Sequence, residues 1–176
     1  QACSHWLEQE IAAYTGTKFG VGVNSGSDAL TLALRALDIG PGDEVITSPF
    51  TYIGPGESIY QVGAKIVFAD IHLRTFCIDP EEVAKKITPK TRAIIPVHLF
   101  GQAAPMDELF ALTKPRGIHV IEDCAQAWGA KYRDQPIGTI GHLACFSLQQ
   151  SKQITCGDGG VVASSDERFG PLLQSY

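Results

Sequence analysis

The sequence predicts an α/β fold, a three-layer α/β/α domain with a mostly parallel sheet, from three observations. Short apolar runs alternate with helical patterns along the whole chain, which is typical of strand–helix units. The apolar runs, such as residues 93–97, are continuous rather than alternating, as in strands buried on both faces. Hydrophobic residues make up 44% of the 176 residues and charged ones 19%, an ordinary balance for one folded domain.

Periodicity and turn residues predict the elements in chain order. Helices are predicted over residues 6–14, 27–37, 56–61, 107–114 and around residue 172. Strands are predicted over residues 19–23, 44–47, 65–69, 93–97, 119–123, 143–147 and 160–163, with a small hairpin over 132–137. A further helix has a well-marked start, because Asp79 can cap it, Pro80 follows at its first position and Glu82 stands three residues after the cap.

Composition argues against several functional classes. The net charge of −5 predicts no broad basic surface and hence no nucleic-acid partner. No apolar run reaches the roughly 20 residues that span a bilayer, and the first residues do not have the pattern of a signal peptide. The five cysteines are irregularly spaced without a C-x-x-C motif, which predicts reduced thiols in a cytoplasmic protein and no metal site.

Both ends of the sequence suggest that it is truncated. The sequence begins without Met and stops at Tyr176, inside a predicted helix. We therefore expect residues 1–176 to be a piece of a longer protein.

Polar residues follow several predicted strands, at the edge of the sheet where ligands bind in such folds. Ser25, Gly26 and Ser27 join a strand to a helix, and a free helix start with nearby hydroxyls can bind phosphate. A serine that merely caps the helix explains the same residues.

Asp123 ends an apolar strand, where a carboxylate is costly unless it has a partner. A protonated pyridine nitrogen is one such partner, and the pair would keep the ring an electron sink. Capping of the following segment is the alternative. Gln126, three residues on, could reach the same ligand.

Lys152 lies in a window without other basic residues and precedes a Gly-rich turn that allows close backbone approach. A lysine that forms a Schiff base must lose its proton, which a desolvated site favours. Ser147, five residues earlier at a strand end, could hold a phosphate. Without this setting, a lone lysine is a solvated surface charge.

Five further residues are less specific. Tyr52 could stack on a planar ring, although aromatic residues in this position are more often part of a core or an interface. His98 ends a predicted strand and could line the pocket or satisfy a loop. Glu57 and Glu122 are expected to be structural or solvated, and Trp128 to contribute packing.

Five segments, in order, resemble the sugar aminotransferases of the DegT/DnrJ/StrS group, which are fold-type-I enzymes that use pyridoxal 5'-phosphate (PLP). These segments are residues 24–30, 41–46, 96–102, 121–127 and 146–160. The resemblance implies the large domain of a PLP-dependent transferase, similar to aspartate aminotransferase.

The resemblance also implies roles for individual residues. Lys152 would form the Schiff base, Asp123 would pair with the pyridine nitrogen, and Gln126 would bond near the ring hydroxyl. Tyr52 would stack on the ring, where the family often has Phe or Trp. The phosphate would be held by Gly26, Ser27 and Ser147.

The family is about twice as long as this chain, so the resemblance implies a missing C-terminal small domain and a homodimer with its site at the interface. The family's usual Gly-Glu-Gly-Gly is Gly157-Asp158-Gly159-Gly160 here, which leaves the shape of that turn open. Some relatives carry His in place of the lysine and act as dehydratases, and Lys152 argues against that branch.

The function predicted on this basis is transfer of an amino group from glutamate or glutamine to a keto sugar or a ketocyclitol. The segment before Lys152 looks like that of ketocyclitol enzymes, with nucleotide-linked keto sugars close behind. A PLP-dependent lyase or desulfurase on the same fold, and a PLP-binding protein without turnover, remain alternatives. A nicotinamide-binding domain fits less well, because no G-x-G-x-x-G opens a helix after a strand.

Overall fold

A seven-stranded sheet forms the centre of the computed structural model, which describes the backbone of residues 2–175 and their side chains except those of residues 2–4 and 174. The strands of this sheet and of a separate two-stranded hairpin are β1 (Phe19–Val23), β2 (Glu44–Thr47), β3 (Lys65–Phe68), β4 (Thr91–Ile95), β5 (His119–Asp123), β6 (Lys131–Tyr132), β7 (Gln135–Pro136), β8 (Leu143–Ser147) and β9 (Gly160–Ser164). The helices are α1 (Ala2–Thr15), α2 (Gly26–Ala36), α3 (Gly54–Gln61), α4 (Pro80–Lys86), α5 (Met106–Thr113) and α6 (Gly170–Ser175).

The sheet has the strand order β1-β9-β8-β5-β4-β2-β3. Strand β9 runs antiparallel to both of its neighbours, β1 and β8, and every other neighbouring pair is parallel. Six of the seven strands therefore point the same way, and their carboxyl ends meet at one edge of the sheet. The predicted, mostly parallel sheet is confirmed.

Helices cover both faces of the sheet, because neighbouring residues of a strand point to opposite layers. In β5, Ile121 packs into the cluster that holds α2, α3 and α6, whereas Val120 packs into the cluster under α4 and α5. Phe146 of β8 meets Ile11 of α1 on the second face. Each such buried side chain contributes about 1.5–3 kcal/mol, and the predicted three layers are confirmed.

Side-chain caps fix the starts of two helices. The hydroxyl of Ser25 accepts the N–H of Asp28 at 3.0 Å, so α2 starts one residue before the predicted position. The carboxylate of Asp79 accepts the N–H of Glu81 at 2.8 Å, which confirms the predicted cap of α4. Glu82 pairs with Lys85 instead of reaching back, so only one half of the capping box forms.

The strand predicted over residues 93–97 is shifted. Strand β4 ends at Ile95 because Pro96 has no N–H to add to the ladder, although Val97 still bridges Asp123. The predicted hairpin is confirmed, with Arg133 and Asp134 both at positive φ, as its two-residue turn requires. The predicted C-terminal helix is present as α6, and Tyr176 lies outside the described residues.

The described cysteines are all free thiols, and three of the four are buried. Burial raises the pKa of the Cys124 and Cys145 thiols well above the usual value. No disulfide joins these four cysteines to one another, while the side chain of Cys3 lies outside the described part. No helix in that part is both long enough and apolar enough to cross a bilayer.

Two histidines meet at the edge of the sheet opposite the carboxyl ends. The rings of His119 and His142 lie edge to face, with centroids 5.0 Å apart. The N–H of Val120 donates to Nδ1 of His142 at 3.0 Å, whereas the buried Nδ1 of His119 has no partner among the described residues. Burial lowers the pKa of both rings, and the positive charges of His142 and Arg92 lower that of His119 further.

Stability should fall as the solution becomes acidic. The unfolded chain protonates these histidines near pH 6.5, above their lowered folded-state pKa, so the unfolded state binds more protons. The stabilising contribution is complete above about pH 6.5 and is lost as pH falls toward the folded-state pKa. His119→Gln should flatten the decline of the thermal unfolding midpoint between about pH 7.5 and 5.5. The control variant His72→Gln, which changes an exposed histidine, should show the same decline as the wild type. An equally steep decline in His119→Gln would show that His119 is not its cause.

Candidate active site

A cavity of about 550 Å³ opens at the carboxyl ends of β1, β5 and β8. The start of α2 forms one wall, and the loop between β8 and β9 forms the opposite wall. All seven residues predicted for the site line this cavity, namely Gly26, Ser27, Tyr52, Asp123, Gln126, Ser147 and Lys152. The fold thus brings together residues that are up to 126 positions apart in the chain (152 − 26).

The start of α2 and the end of β8 form a polar cradle. A Cβ atom on Gly26 would lie 2.8 Å from Cβ of Ser147, so only glycine allows this approach. Ser25 caps the helix, which leaves the Ser27 hydroxyl without a hydrogen bond among the described residues. Ser25 is therefore the cap of α2, and the start of this helix faces the cavity beside the hydroxyls of Ser27 and Ser147.

Asp123 carries a buried carboxylate at the cavity wall, with 5% of the residue exposed. Its Oδ1 accepts the N–H of Ala125 at 3.0 Å, and Oδ2 has no partner among the described residues. Burial raises the pKa of this carboxyl, against the opposing effects of the Ala125 N–H and of the Lys152 charge. A cationic N–H donor bound in the cavity would stabilise the anion.

Lys152 is half-buried on the loop that joins β8 to β9. Its backbone N–H donates to the carbonyl of Gln149 at 2.9 Å, and none of the ion pairs in the described part includes its ammonium group. The loop is closed at its base, because the N–H of Leu148 donates to the carbonyl of Gly159 at 2.8 Å. An amine without a carboxylate partner remains available to a ligand.

Gln126 and Tyr52 complete the predicted set. Oε1 of Gln126 accepts the N–H of Phe100 at 3.2 Å, and its backbone carbonyl accepts the side chain of Gln153 at 2.8 Å. Tyr52 lines the cavity from the segment before α3, with 68% of its surface exposed. Its ring is therefore free to contact a planar ligand from one side.

The predicted pocket-lining position of His98 is wrong. The ring is fully buried beneath the site and bonds Glu122 at 2.9 Å. Glu122 is structural, as one of its two predicted alternatives had it, while Glu57 is exposed at the cavity rim. The predicted packing role of Trp128 is confirmed, and its indole N–H also donates to the carbonyl of Ser147 at 3.0 Å.

Several cavity residues were not predicted from the sequence. They are Asp28, Leu30, Thr51, Gly54, Pro55, Glu57, Gln61, Ala125, Gln149, Ser151 and Asp158. The signal that could have found Gln149, Ser151 and Asp158 is their place on the loop that carries Lys152. Those from α3 and its approach gave no such signal, because helix–helix packing brings them to the rim.

Three potential metal ligands, His98, Glu122 and Cys124, place one ligand atom each within 4.8 Å of the others. Their atoms are already engaged, however. Nδ1 of His98 accepts the N–H of Ala104, and the Glu122 carboxylate accepts several donors. A cation would have to break this network, so the residues do not fit a metal site.

A family model described as the DegT/DnrJ/EryC1/StrS aminotransferase family matches residues 4–172. The chain belongs to this family. The α/β fold accordingly agrees with that of PLP-dependent aminotransferases, as the resemblance seen in the sequence implied.

Similar proteins in this family carry different names. The chain is 49% identical over 169 residues to the UDP-N-acetyl-3-dehydro-alpha-D-glucosamine 3-aminotransferase of Acidithiobacillus ferrooxidans, covering 96% of the chain and 46% of that protein. It is also 49% identical over 164 residues to the pleiotropic regulatory protein of Geobacillus stearothermophilus, covering 93% and 44%. The chain thus spans about half the length of these relatives.

A solved structure gives the same picture. The Streptomyces venezuelae protein DesV, in complex with a ketimine intermediate, superposes with a TM-score of 0.94 at 47% identity. The superposition covers 97% of this chain and 46% of that one.

Replacement of Gly26 by Ala should push the start of α2 away from Ser147 at the end of β8. The new methyl group would press on Ser147 and cost about 1–3 kcal/mol of unfolding free energy, as overpacking does. The matched control is Gly56→Ala in α3, where a Cβ meets only Cδ1 of Ile66 at 3.9 Å. This control should be neutral or stabilising by up to about 1 kcal/mol. Equal unfolding curves for the two variants in the intact protein would contradict the tight contact.

Proposed function

We propose that the intact protein is a PLP-dependent aminotransferase that transfers an amino group from glutamate or glutamine to a keto sugar or a ketocyclitol. The observation that carries this proposal is the meeting of Lys152, Asp123 and the Gly26–Ser147 cradle around one cavity. Membership of the aminotransferase family supports the same reaction class. The free thiols suit the reducing cytoplasm, which we take as its compartment.

The residues present fit PLP in three separate respects. Its phosphate needs N–H and O–H donors, which the start of α2, Ser27 and Ser147 offer. Its pyridine nitrogen needs a carboxylate, and Asp123 turns one unpaired oxygen to the cavity. Its aldehyde needs an amine, and Lys152 lines the same cavity. Gln126 and Tyr52 would then approach the ring from its edge and its face.

PLP, when bound, supplies an electron sink for the carbanion that forms when an amino acid loses its α-proton. Lys152 would hold the cofactor covalently, and its released amine would take the proton from the amino donor and return it as a general acid. Asp123, as an anion, would keep a proton on the ring nitrogen. Burial raises the pKa of Asp123, so contact with a cation is needed to hold it ionised.

The proposal names two classes of amino-group acceptor. The relative from Acidithiobacillus is named for a nucleotide-linked keto sugar, whereas the segment before Lys152 resembles that of ketocyclitol enzymes. Each acceptor assayed with glutamine as donor separates these two classes. Turnover of one class only would name the acceptor, and turnover of neither would reject both.

Lys152→Ala should abolish covalent attachment of PLP and slow transamination by about 100-fold or more. The measurements are borohydride trapping followed by peptide mapping, and the absorbance band of lysine-bound PLP. Lys131→Ala, a change of an exposed lysine on the β6–β7 hairpin, should leave both unchanged. Retention of the trapped lysine adduct in Lys152→Ala would reject this residue as the attachment point.

A binding protein without turnover is the second candidate, because one similar relative is named a regulatory protein. Such a protein would bind PLP through the same cavity but would not convert it with any amino donor. Single-turnover spectra with glutamate and glutamine distinguish the two candidates. Conversion of the bound cofactor by either donor supports the aminotransferase.

A homodimer is part of the proposal. Beside the site lies a second cavity of about 550 Å³, whose apolar lining includes Ile53, Tyr60, Ile66 and Phe68. Tyr52 lines both cavities, so a subunit seated on this apolar surface would also reach the site. Exposed apolar clusters of this kind mark protein contacts.

Tyr60→Glu should weaken the dimer, because it places a charge at an apolar contact where 78% of the tyrosine is exposed in the single chain. A loss of about tenfold or more in dimer affinity is expected from burying one unpaired charge. Sedimentation of the intact protein measures it. Leu73→Glu, outside the second cavity, is the control and should sediment as wild type. An unchanged dimer in Tyr60→Glu would place the interface elsewhere.

A further inference from the structure

A buried network lies directly beneath Asp123. Glu122, on the same strand but pointing to the opposite side, accepts hydrogen bonds from the N–H groups of Gly138 at 2.8 Å, Ile140 at 2.9 Å and Gly141 at 2.5 Å. The fourth donor is Nε2 of His98 at 2.9 Å. A carboxylate with four donors remains ionised, and these bonds outweigh the effect of burial and lower the pKa of Glu122.

The proton of His98 is fixed by its other neighbour. The backbone N–H of Ala104 donates to Nδ1 at 3.0 Å, so Nδ1 carries a lone pair and the ring proton sits on Nε2. The ring therefore donates to Glu122 and cannot turn without losing both bonds. Since the ring is fully buried, no water can replace either partner.

This network reaches Asp123 through the backbone. The N–H of His98 donates to the carbonyl of Asp123 at 3.0 Å, and the N–H of Asp123 donates to the carbonyl of Pro96 at 2.9 Å. The end of β5 is thus held between two residues of the segment that carries the His98 ring. Any shift of His98 against Glu122 would turn the peptide units on both sides of the Asp123 side chain.

We propose that His98 and Glu122 are positioning residues, whose buried hydrogen bond sets the place of the Asp123 carboxylate at the cavity wall. The inference rests on the proposed function only where it concerns PLP. Neither residue lines the cavity, so their effect on the cofactor is indirect, and Asp123 is the cavity residue to which the backbone of His98 is bonded.

Two substitutions of His98 separate its two bonds. The amide of an asparagine reaches about as far as Nδ1, so His98→Asn keeps a partner for Ala104 and loses the bond to Glu122. The amide of a glutamine reaches about as far as Nε2, so His98→Gln keeps a donor for Glu122. His98→Asn should weaken PLP binding by about tenfold or more, and His98→Gln should stay within about threefold of wild type.

A double-mutant cycle tests whether the effect passes through Asp123. In the intact protein with Asp123→Asn, the further change His98→Asn should alter PLP affinity by less than about threefold. A full tenfold loss in that background would show that the pair only stabilises the fold and would overturn the proposal. An equal loss of PLP affinity in the folded His98→Gln protein would overturn it as well, because the Glu122 bond is then not the cause.

A crystal structure of the cofactor-free His98→Asn protein separates this proposal from the proposed function. The Asp123 carboxylate should be displaced and its 3.0 Å bond to Ala125 lost or lengthened. An Asp123 in its wild-type place would overturn the positioning role. Failure of the wild-type protein to bind PLP would overturn the proposed function alone, because the displacement is measured without PLP. If His98→Asn does not fold, the His98→Gln result and a cofactor-free His98→Gln structure decide, and a displaced Asp123 there counts against the proposal.

Discussion

The shared direction of six strands is the constraint on which the rest of the structure depends. Residues that end parallel strands must meet at one edge, whatever their distance in the chain. Asp123 and Ser147 end neighbouring strands β5 and β8, and the start of α2 follows β1 at the same edge. The helices on both faces keep this edge free of their own packing, so polar groups there face a cavity instead of a core.

Nearby backbone and side-chain donors stabilise the two buried carboxylates at this edge to different extents. Asp123 has one bond to a backbone N–H and one oxygen left over, and burial raises its pKa. Glu122, one residue earlier, has every oxygen engaged, and its pKa is lowered. The two consecutive carboxylates thus differ: both oxygens of Glu122 accept hydrogen bonds within the protein, whereas one oxygen of Asp123 has no hydrogen-bond donor among the described residues. An incomplete buried carboxylate is the one that a cationic ligand can satisfy.

Sequence reasoning predicted the strands and seven of the cavity residues, because both depend on local signals. The continuous apolar runs required burial on two faces, and the polar residues after them required a shared edge. It misplaced His98 because a histidine after a strand looks the same whether its ring turns to the pocket or beneath it. The orientation of the His98 ring is set by its hydrogen bonds to Ala104 and Glu122. These residues are six and 24 positions away, and no local sequence pattern relates them to His98. The rim residues of α3 escaped prediction for the same reason, since tertiary packing alone brings them to the cavity.

The reversed strand β9 has a consequence for how the protein can vary. Parallel neighbours are joined by long crossovers, whereas antiparallel neighbours need only a loop. The connection between β8 and β9 therefore needs no helix. The hydrogen bond from Leu148 to Gly159 closes this loop at its base, so the pairing of β8 with β9 does not depend on the conformation of the loop. Changes in the length of this loop would move Lys152 in or out of the cavity while the ladder stays in place. The reversed direction of one strand thus makes the depth of the Lys152 side chain in the cavity an independently adjustable quantity.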